Sequence, residues 1–241
     1  MTTDFSWLSR TTLLIGDKAL QQLAGSHVMV VGLGGVGSFA AEFIARTGVG
    51  KMTIIDGDIV DPSNRNRQLP ALATNHGEFK VAIMRERLLA INPELEITAI
   101  QEFIEPAMVA SHLKLNPDYI IDAIDSITPK MNFLVQALEQ KIPIISSMGA
   151  GGKLDPTALK VTDISKTYNC PFAQQIRKQL KMEHNIRRGI QVVFSPEESD
   201  KESIMLTDGR NYKKSAYGTI SYLPAVFGAV AASVVIRSLI K

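Results

Sequence analysis

Residues 32–38 read Gly32-Leu33-Gly34-Gly35-Val36-Gly37-Ser38 and follow the apolar run Val28-Met29-Val30-Val31, so a buried strand leads into a glycine-rich turn and then a helix. Without a Cβ, glycines let the backbone turn tightly and approach a phosphate closely, while the free N–H groups opening the next helix favour negative charge. Ile54-Ile55-Asp56 ends the next apolar run, where a carboxylate is placed to hold ribose hydroxyls. The polar loop after it carries Arg67, and Lys80 opens the following helix. One helix N-terminus is enough for a pyrophosphate bridge, but a triphosphate carries more charge and its leaving pyrophosphate needs cations at the point of cleavage. Arg67 and Lys80 are the candidates, since a cation about 4 Å from a phosphate oxygen gains roughly 4 kcal/mol at an effective dielectric near 20. Asp125, just past the apolar run 119–124, offers a hard oxygen ligand for Mg²⁺; Asp122, alternate along that strand, is its rival as metal ligand or as a hydrogen-bond acceptor.

The elements that must position these groups alternate along the chain. Apolar runs at 28–32, 52–55, 96–101, 119–124 and 142–146 are separated by helical patterns near 36–47, 78–91, 105–115 and 129–140. That alternation predicts an α/β fold, a Rossmann-like doubly wound and mainly parallel sheet with helices on both faces. In such a sheet the ligand lies beyond the carboxyl ends of the strands, where the glycine turn, Asp56, residues 122–126 and residues 146–152 converge. From residue 153 the pattern changes to a strand at 158–163, a basic helix at 173–183, a strand at 190–194 and a polar loop at 195–216. The expected organisation is one domain over 1–241, with a nucleotide-binding core at 1–152 and a substrate-specific extension at 153–241.

Composition narrows the classes. A chain of 241 residues that is 45% hydrophobic can bury a large core, and 26 basic against 24 acidic residues leave a net charge of only +2. The single cysteine, Cys170, excludes an intramolecular disulfide and a multi-cysteine zinc site, and the four histidines have no metal-ligand spacing. The first residues lack the charged and apolar regions of a secretion signal, so a cytoplasmic location is expected. The nearly uncharged stretch 219–240 approaches the length of a membrane span, but Pro224 and its small residues fit a core helix; no stable membrane insertion is expected, with peripheral contact the minority reading.

Taken together, the glycine turn, Asp56-Gly57-Asp58, Asn64-x-x-Arg67-Gln68, Lys80 and Asp125-Ser126 resemble the ubiquitin-activating-enzyme-like adenylyltransferases, over about residues 10–150. The resemblance implies that Gly32, Gly34, Gly35, Gly37, Asp56, Asp58, Asn64, Arg67, Lys80, Asp125 and Ser126 bind ATP and Mg²⁺. It also implies that a substrate carboxylate attacks the α-phosphate, with Arg67, Lys80 and Asp125 as the catalytic groups and Asp125 on the metal. Arg10 matches the place from which some members send an arginine across a homodimer interface. The chain lacks the zinc-binding cysteine pairs of the ubiquitin-like-protein activators and has Ser126 and Lys130 where those commonly show asparagine and arginine.

The branch it is most similar to is the tRNA threonylcarbamoyladenosine dehydratases, on the stretches 122–126, 149–157 and 161–167. That similarity implies activation of the modified nucleoside's carboxylate as an adenylate and ring closure by its own carbamoyl oxygen, with no carrier cysteine. The alternative is an activator of the C-terminal carboxylate of a ubiquitin-like or sulfur-carrier protein. A tRNA partner would meet a second half that is locally basic through Lys153, Lys160, Lys166, Arg177, Lys178, Lys181, Arg187, Arg188, Lys213 and Lys214, with Tyr168, Phe172, Tyr212 and Tyr217 available for base stacking. A sulfur-acceptor-type protein companion and a monovalent cation at the 149–153 loop remain open.

Overall fold

The computed structural model describes residues 6–206 and 215–241; Tyr212, Lys213, Lys214 and the first five residues lie outside the described residues. In chain order the elements are α1 (Ser9–Ala24), β1 (His27–Val31), α2 (Gly37–Ala45), β2 (Lys51–Ile55), α3 (Lys80–Ile91), β3 (Glu96–Ile100), α4 (Val109–Leu113), β4 (Tyr119–Asp122), α5 (Ile127–Glu139), β5 (Ile144–Ser147), β6 (Lys160–Asp163), α6 (Pro171–His184), β7 (Gln191–Phe194), β8 (Ile204–Leu206), β9 (Ser215–Tyr217) and α7 (Tyr222–Leu239). Seven strands form one sheet in the order β3-β2-β1-β4-β5-β7-β6. All neighbours are parallel except the edge strand β6, which runs antiparallel to β7. This is the doubly wound architecture the alternation predicts, and strands from both halves of the chain share it.

The central strands are buried and largely apolar, because helices cover both faces. β1 is buried throughout, and its alternate residues divide between two cores: Val28 and Val30 on one face, Met29 and Val31 on the other. The first core is closed by α2 and α7, the second by α5 and α6. The apolar stretch near the C-terminus is therefore a core helix, with Leu223, Phe227, Ala231 and Val235 fully buried. Gly228 makes its contact with α2 possible, since a Cβ there would lie 2.4 Å from the Val36 carbonyl oxygen.

The departures from the expected pattern have local causes. β4 stops at Asp122 because the Asp122 carboxylate accepts the Ile124 N–H at 3.0 Å and turns the chain out of the sheet. The helical pattern at 105–115 divides at Pro106 into a 3-10 turn (Pro106–Met108) and the single turn and a half of α4. The polar stretch 195–216 contains β8 and the first two residues of β9, which pair antiparallel. The N-terminal helix α1 has no counterpart in the sequence pattern; Gly16 interrupts it at φ 81°, and Leu13 and Leu14 are each 85% exposed.

Two buried histidines give the fold a pH signature. His27 at the start of β1 shares a hydrogen bond with Thr53 at 2.8 Å; burial pulls its pKa below the ordinary 6.5, Lys51 adds to this and Asp118 opposes it. Burial lowers His112 likewise, against the pull of Glu102. An unfolded histidine thus binds its proton at a higher pH than the folded one, so their stabilisation is complete above about pH 6.5 and is lost as pH falls through the folded values. The melting temperature is expected to drop between about pH 7.5 and pH 5, a window above most carboxylate titrations, and to drop less steeply in His27→Gln; thermal melts across that range check it.

Candidate active site

The sheet order reverses between β1 and β4, and a crevice opens at their carboxyl ends, as it must where one crossover goes up and the next goes down. Gly32 closes β1 with φ +87°, and a Cβ there would sit 2.9 Å from the Ala123 carbonyl oxygen, so only glycine lets the two backbones meet. α2, α3, α5, α6 and α7 all begin at this end of the sheet: Val36, Lys80, Ser126, Pro171 and Pro224 line a cavity of about 830 Å³ together with the glycine turn. Five helix N-termini around one cavity make its walls a field for anions.

The residues singled out by the sequence meet here. Gly32, Gly34, Gly35, Asp56, Asp58, Asn64, Arg67, Lys80, Asp125 and Ser126 all line the cavity. Gly37 does not: it is buried at the start of α2, where a Cβ would fall 1.8 Å from the Gly32 carbonyl oxygen. Its role is to let α2 close against the turn. Arg10 is also off the cavity, exposed in the first turn of α1.

Asp56 is held by backbone: its Oδ2 accepts the Leu33 N–H at 2.6 Å and its Oδ1 the Asp58 N–H at 2.7 Å. Burial raises its pKa, while Lys80 and those two N–H groups oppose the rise. Lys80 is only 3% exposed, and its Nζ pairs with Asp58 at 3.0 Å. Arg67 is steadied by the Ser63 carbonyl at 3.0 Å and the Asn66 side chain at 2.9 Å; burial lowers its pKa and Asp125, on the far wall, opposes that. Asn64 is nearly buried, its side-chain oxygen accepting the Asp61 N–H at 3.2 Å in a capping box that shapes the loop.

Asp122 and Asp125 are placed differently. Asp122 is fully buried; its Oδ2 takes Lys130 Nζ at 2.6 Å and Ser146 Oγ at 2.6 Å, and Lys130 also reaches Ser146 at 3.0 Å. Asp125 is exposed on the cavity wall. Among the described residues no three His, Cys, Asp or Glu side chains cluster in a way that could hold a metal. A cation at Asp125 would therefore complete its coordination with ligand phosphates and water, which is how Mg²⁺ is commonly held.

The fit to a nucleotide rests on this geometry. Gly34 and Gly35 present backbone to the cavity, where a Cβ on Gly35 would push Pro224 away at 2.9 Å. Gln68 lines the same wall, with its Oε1 buried and without a hydrogen-bond partner. The ThiF family model matches residues 8–241.

The chain belongs to this family.

Its ThiF relatives include the tRNA threonylcarbamoyladenosine dehydratase of Bacillus subtilis, 40% identical over 97% of this chain and 94% of that one. The Escherichia coli protein of the same name is 39% identical over 95% of this chain and 92% of its own length. The crystal structure of the E. coli dehydratase in complex with ATP superposes with a TM-score of 0.90 at 38% identity, covering 99% of this chain and 96% of that one.

The basic candidates of the second half do not form one surface. Lys153 is not on the surface at all: it is 3% exposed, and its ammonium donates to the carbonyl oxygens of Ser195, at 2.7 Å, and Glu197. The 149–153 loop, a candidate for ordering by a monovalent cation, thus has a lysine charge tying it to the chain after β7. Arg177 caps the Thr167 carbonyl and hydroxyl and is partly buried by it. Lys178, Lys181, Arg187 and Arg188 are exposed. Yet α6 starts at the cavity and its 14 residues carry the chain about 21 Å away at 1.5 Å per residue, so Arg187 and Arg188 sit by the amino end of β7, at the opposite end of the sheet.

Residues that sequence reasoning missed complete the walls. Glu102, Phe103 and Ile104 follow β3, Ser199 and Thr219 flank the small hairpin, and Cys170, 4% exposed, belongs to the second core and also borders the cavity. The rule that loops at strand carboxyl ends line the site could have flagged residues 102–104 and Ser199, but not Cys170, which follows the antiparallel strand β6.

The buried pair beneath the floor makes a test. Removing one partner strands a charge with no water, so Lys130→Met should cost about 3–5 kcal/mol, and adding Asp122→Asn should restore most of it. Denaturant midpoints of the single and double variants check this.

Proposed function

We propose that this chain catalyses ATP-dependent dehydration of threonylcarbamoyladenosine beside the tRNA anticodon, closing the threonylcarbamoyl group into a ring. The observation that carries the reading is the reach of the likeness: it extends over 97% of the chain, through the half that follows the nucleotide-binding core. In this reading 1–241 acts as one domain, with 1–152 binding ATP and 153–241 addressing the RNA, in the cytoplasm.

The glycine turn and the N-terminus of α2 receive the phosphates, and Asp56 takes the ribose hydroxyls. Lys80 and Arg67 hold the triphosphate, with Asp58 keeping Lys80 directed into the cavity beforehand. Asp125 would hold Mg²⁺, which neutralises phosphate charge when bound. The nucleoside carboxylate attacks the α-phosphorus and pyrophosphate leaves; the carboxyl oxygen that stays on phosphorus converts a poor leaving group into AMP. The carbamoyl oxygen then attacks the activated carbonyl carbon, AMP departs, and the carbamoyl nitrogen loses its proton, for a net loss of one water. Intramolecular attack in a held geometry reaches effective molarities on the order of 10⁵–10⁸ M, so the walls need only position the reactants and exclude water. Arg10 would act from a second copy of the chain in a homodimer, and exposed Lys178 and Lys181 would meet RNA phosphates.

Nucleoside mass spectrometry of tRNA carrying threonylcarbamoyladenosine, after incubation with the protein, Mg²⁺ and ATP, should show a product one water lighter, and only with ATP. Asp125→Asn is expected to abolish conversion while leaving the melting temperature nearly unchanged. Failure of the wild type, with carboxylate-dependent ATP–pyrophosphate exchange on a sulfur-carrier protein instead, would give the alternative activator role.

A further inference from the structure

Tyr168 stands at the edge of the sheet, 47% exposed, yet its position is defined by two contacts. Its ring meets Phe194 nearly perpendicularly, at 5.7 Å between centroids and 74° between planes, and Lys160 Nζ donates to its hydroxyl at 2.7 Å. Lys160 and Phe194 are themselves register partners at the end of β6 and β7. That end is the cavity end: Phe194 closes β7, and its parallel neighbour β5 closes with Ser147, a residue of the cavity wall. Two residues past Tyr168 the chain reaches Cys170, which begins a stretch of wall continued by Pro171 and Phe172. An exposed aromatic ring is thus fixed immediately outside the cavity and beside an exposed lysine.

Lys160 Nζ also lies 5.3 Å from the ring centroid, and with 47% of the residue exposed, ring surface remains on which a planar group can lie. Because Phe194 and Lys160 already order the side chain, stacking there costs little additional freedom. The chemistry that suits it is an unpaired nucleobase with a phosphate nearby. A nucleoside drawn from an RNA loop into a cavity leaves its stack, and the base next to it loses a partner. We propose that Tyr168, held by Lys160 and Phe194, is the stacking platform for the unpaired base flanking the nucleoside that enters the cavity, with Lys160 beside that nucleotide's phosphate; this rests on the tRNA reading given above. The basic groups at the far end of α6 are then accessory, and register on the RNA is set at the cavity mouth.

The test uses an anticodon stem-loop RNA carrying threonylcarbamoyladenosine, with 2-aminopurine placed in turn at each flanking position, titrated with the full chain at fixed salt. Wild-type protein should quench the 2-aminopurine at one of the two positions. Tyr168→Ala should lose that quenching and bind about tenfold more weakly, Tyr168→Phe should keep it, and Lys160→Ala should bind with a shallower salt dependence. Elevation of the melting temperature by ATP, measured in each variant, confirms that the cavity is intact. Unchanged quenching and affinity in Tyr168→Ala, with a wild type that binds and dehydrates the RNA, overturns the platform alone. A wild type that responds to ATP but does not bind the stem-loop overturns the platform and the tRNA reading together.

Discussion

Everything at this site depends on one close approach. The backbone of Gly32 passes the Ala123 carbonyl where no Cβ fits, and Gly37 seats α2 beneath the Gly32 carbonyl with still less room. These contacts bring β1, β4 and α2 to a single point at which the sheet order reverses. A wider turn would move the helix N-terminus off the crevice and separate Asp56 from the Leu33 N–H that orients it. The nucleotide wall is therefore a packing result before it is an electrostatic one.

On that frame the charges are arranged in opposed pairs around the cavity. Lys80 is set against Asp58, Arg67 acts across from Asp125, and the Asp122–Lys130–Ser146 network lies fully desolvated below. The first two pairs border open volume and can exchange partners with a ligand. The third is sealed, and it anchors the floor: Asp122 ends β4, Lys130 sits in the first turn of α5 and Ser146 lies in β5. The same residue types thus serve binding or rigidity according to whether water can reach them.

What was legible in the sequence follows from locality. β1 and the glycine turn could be read because an all-apolar strand, a turn needing φ > 0 and a helix start are contiguous. Asp125 was set apart from Asp122 through strand alternation, and the structure pairs Asp122 with Lys130, eight residues on. Lys153 was misread as surface because a lysine in a glycine-rich loop carries no local sign of the two carbonyls from 42 and 44 residues away that capture it. The Arg187-Arg188 pair was legible as charge but not as place, since its distance from the cavity depends on which way α6 runs. The amphipathic signal of α1 was overlooked, its outward leucines breaking the usual pattern. Cys170 and Thr219 became wall by topology alone.

The packing of α7 on the nucleotide turn carries a consequence for biosynthesis. Pro224 abuts Gly35, and Gly228 lies under the Val36 carbonyl, so α7 forms the back of a turn made almost 190 residues earlier. On the ribosome, β1, the glycines and α2 emerge long before their support does. A growing chain can pair its early strands but exposes the apolar face that α7 covers until residues 222–239 have emerged. The glycine turn gains its backing only once residues 222–239 have been made, so a chain cut short before them lacks the packing that holds the turn in place.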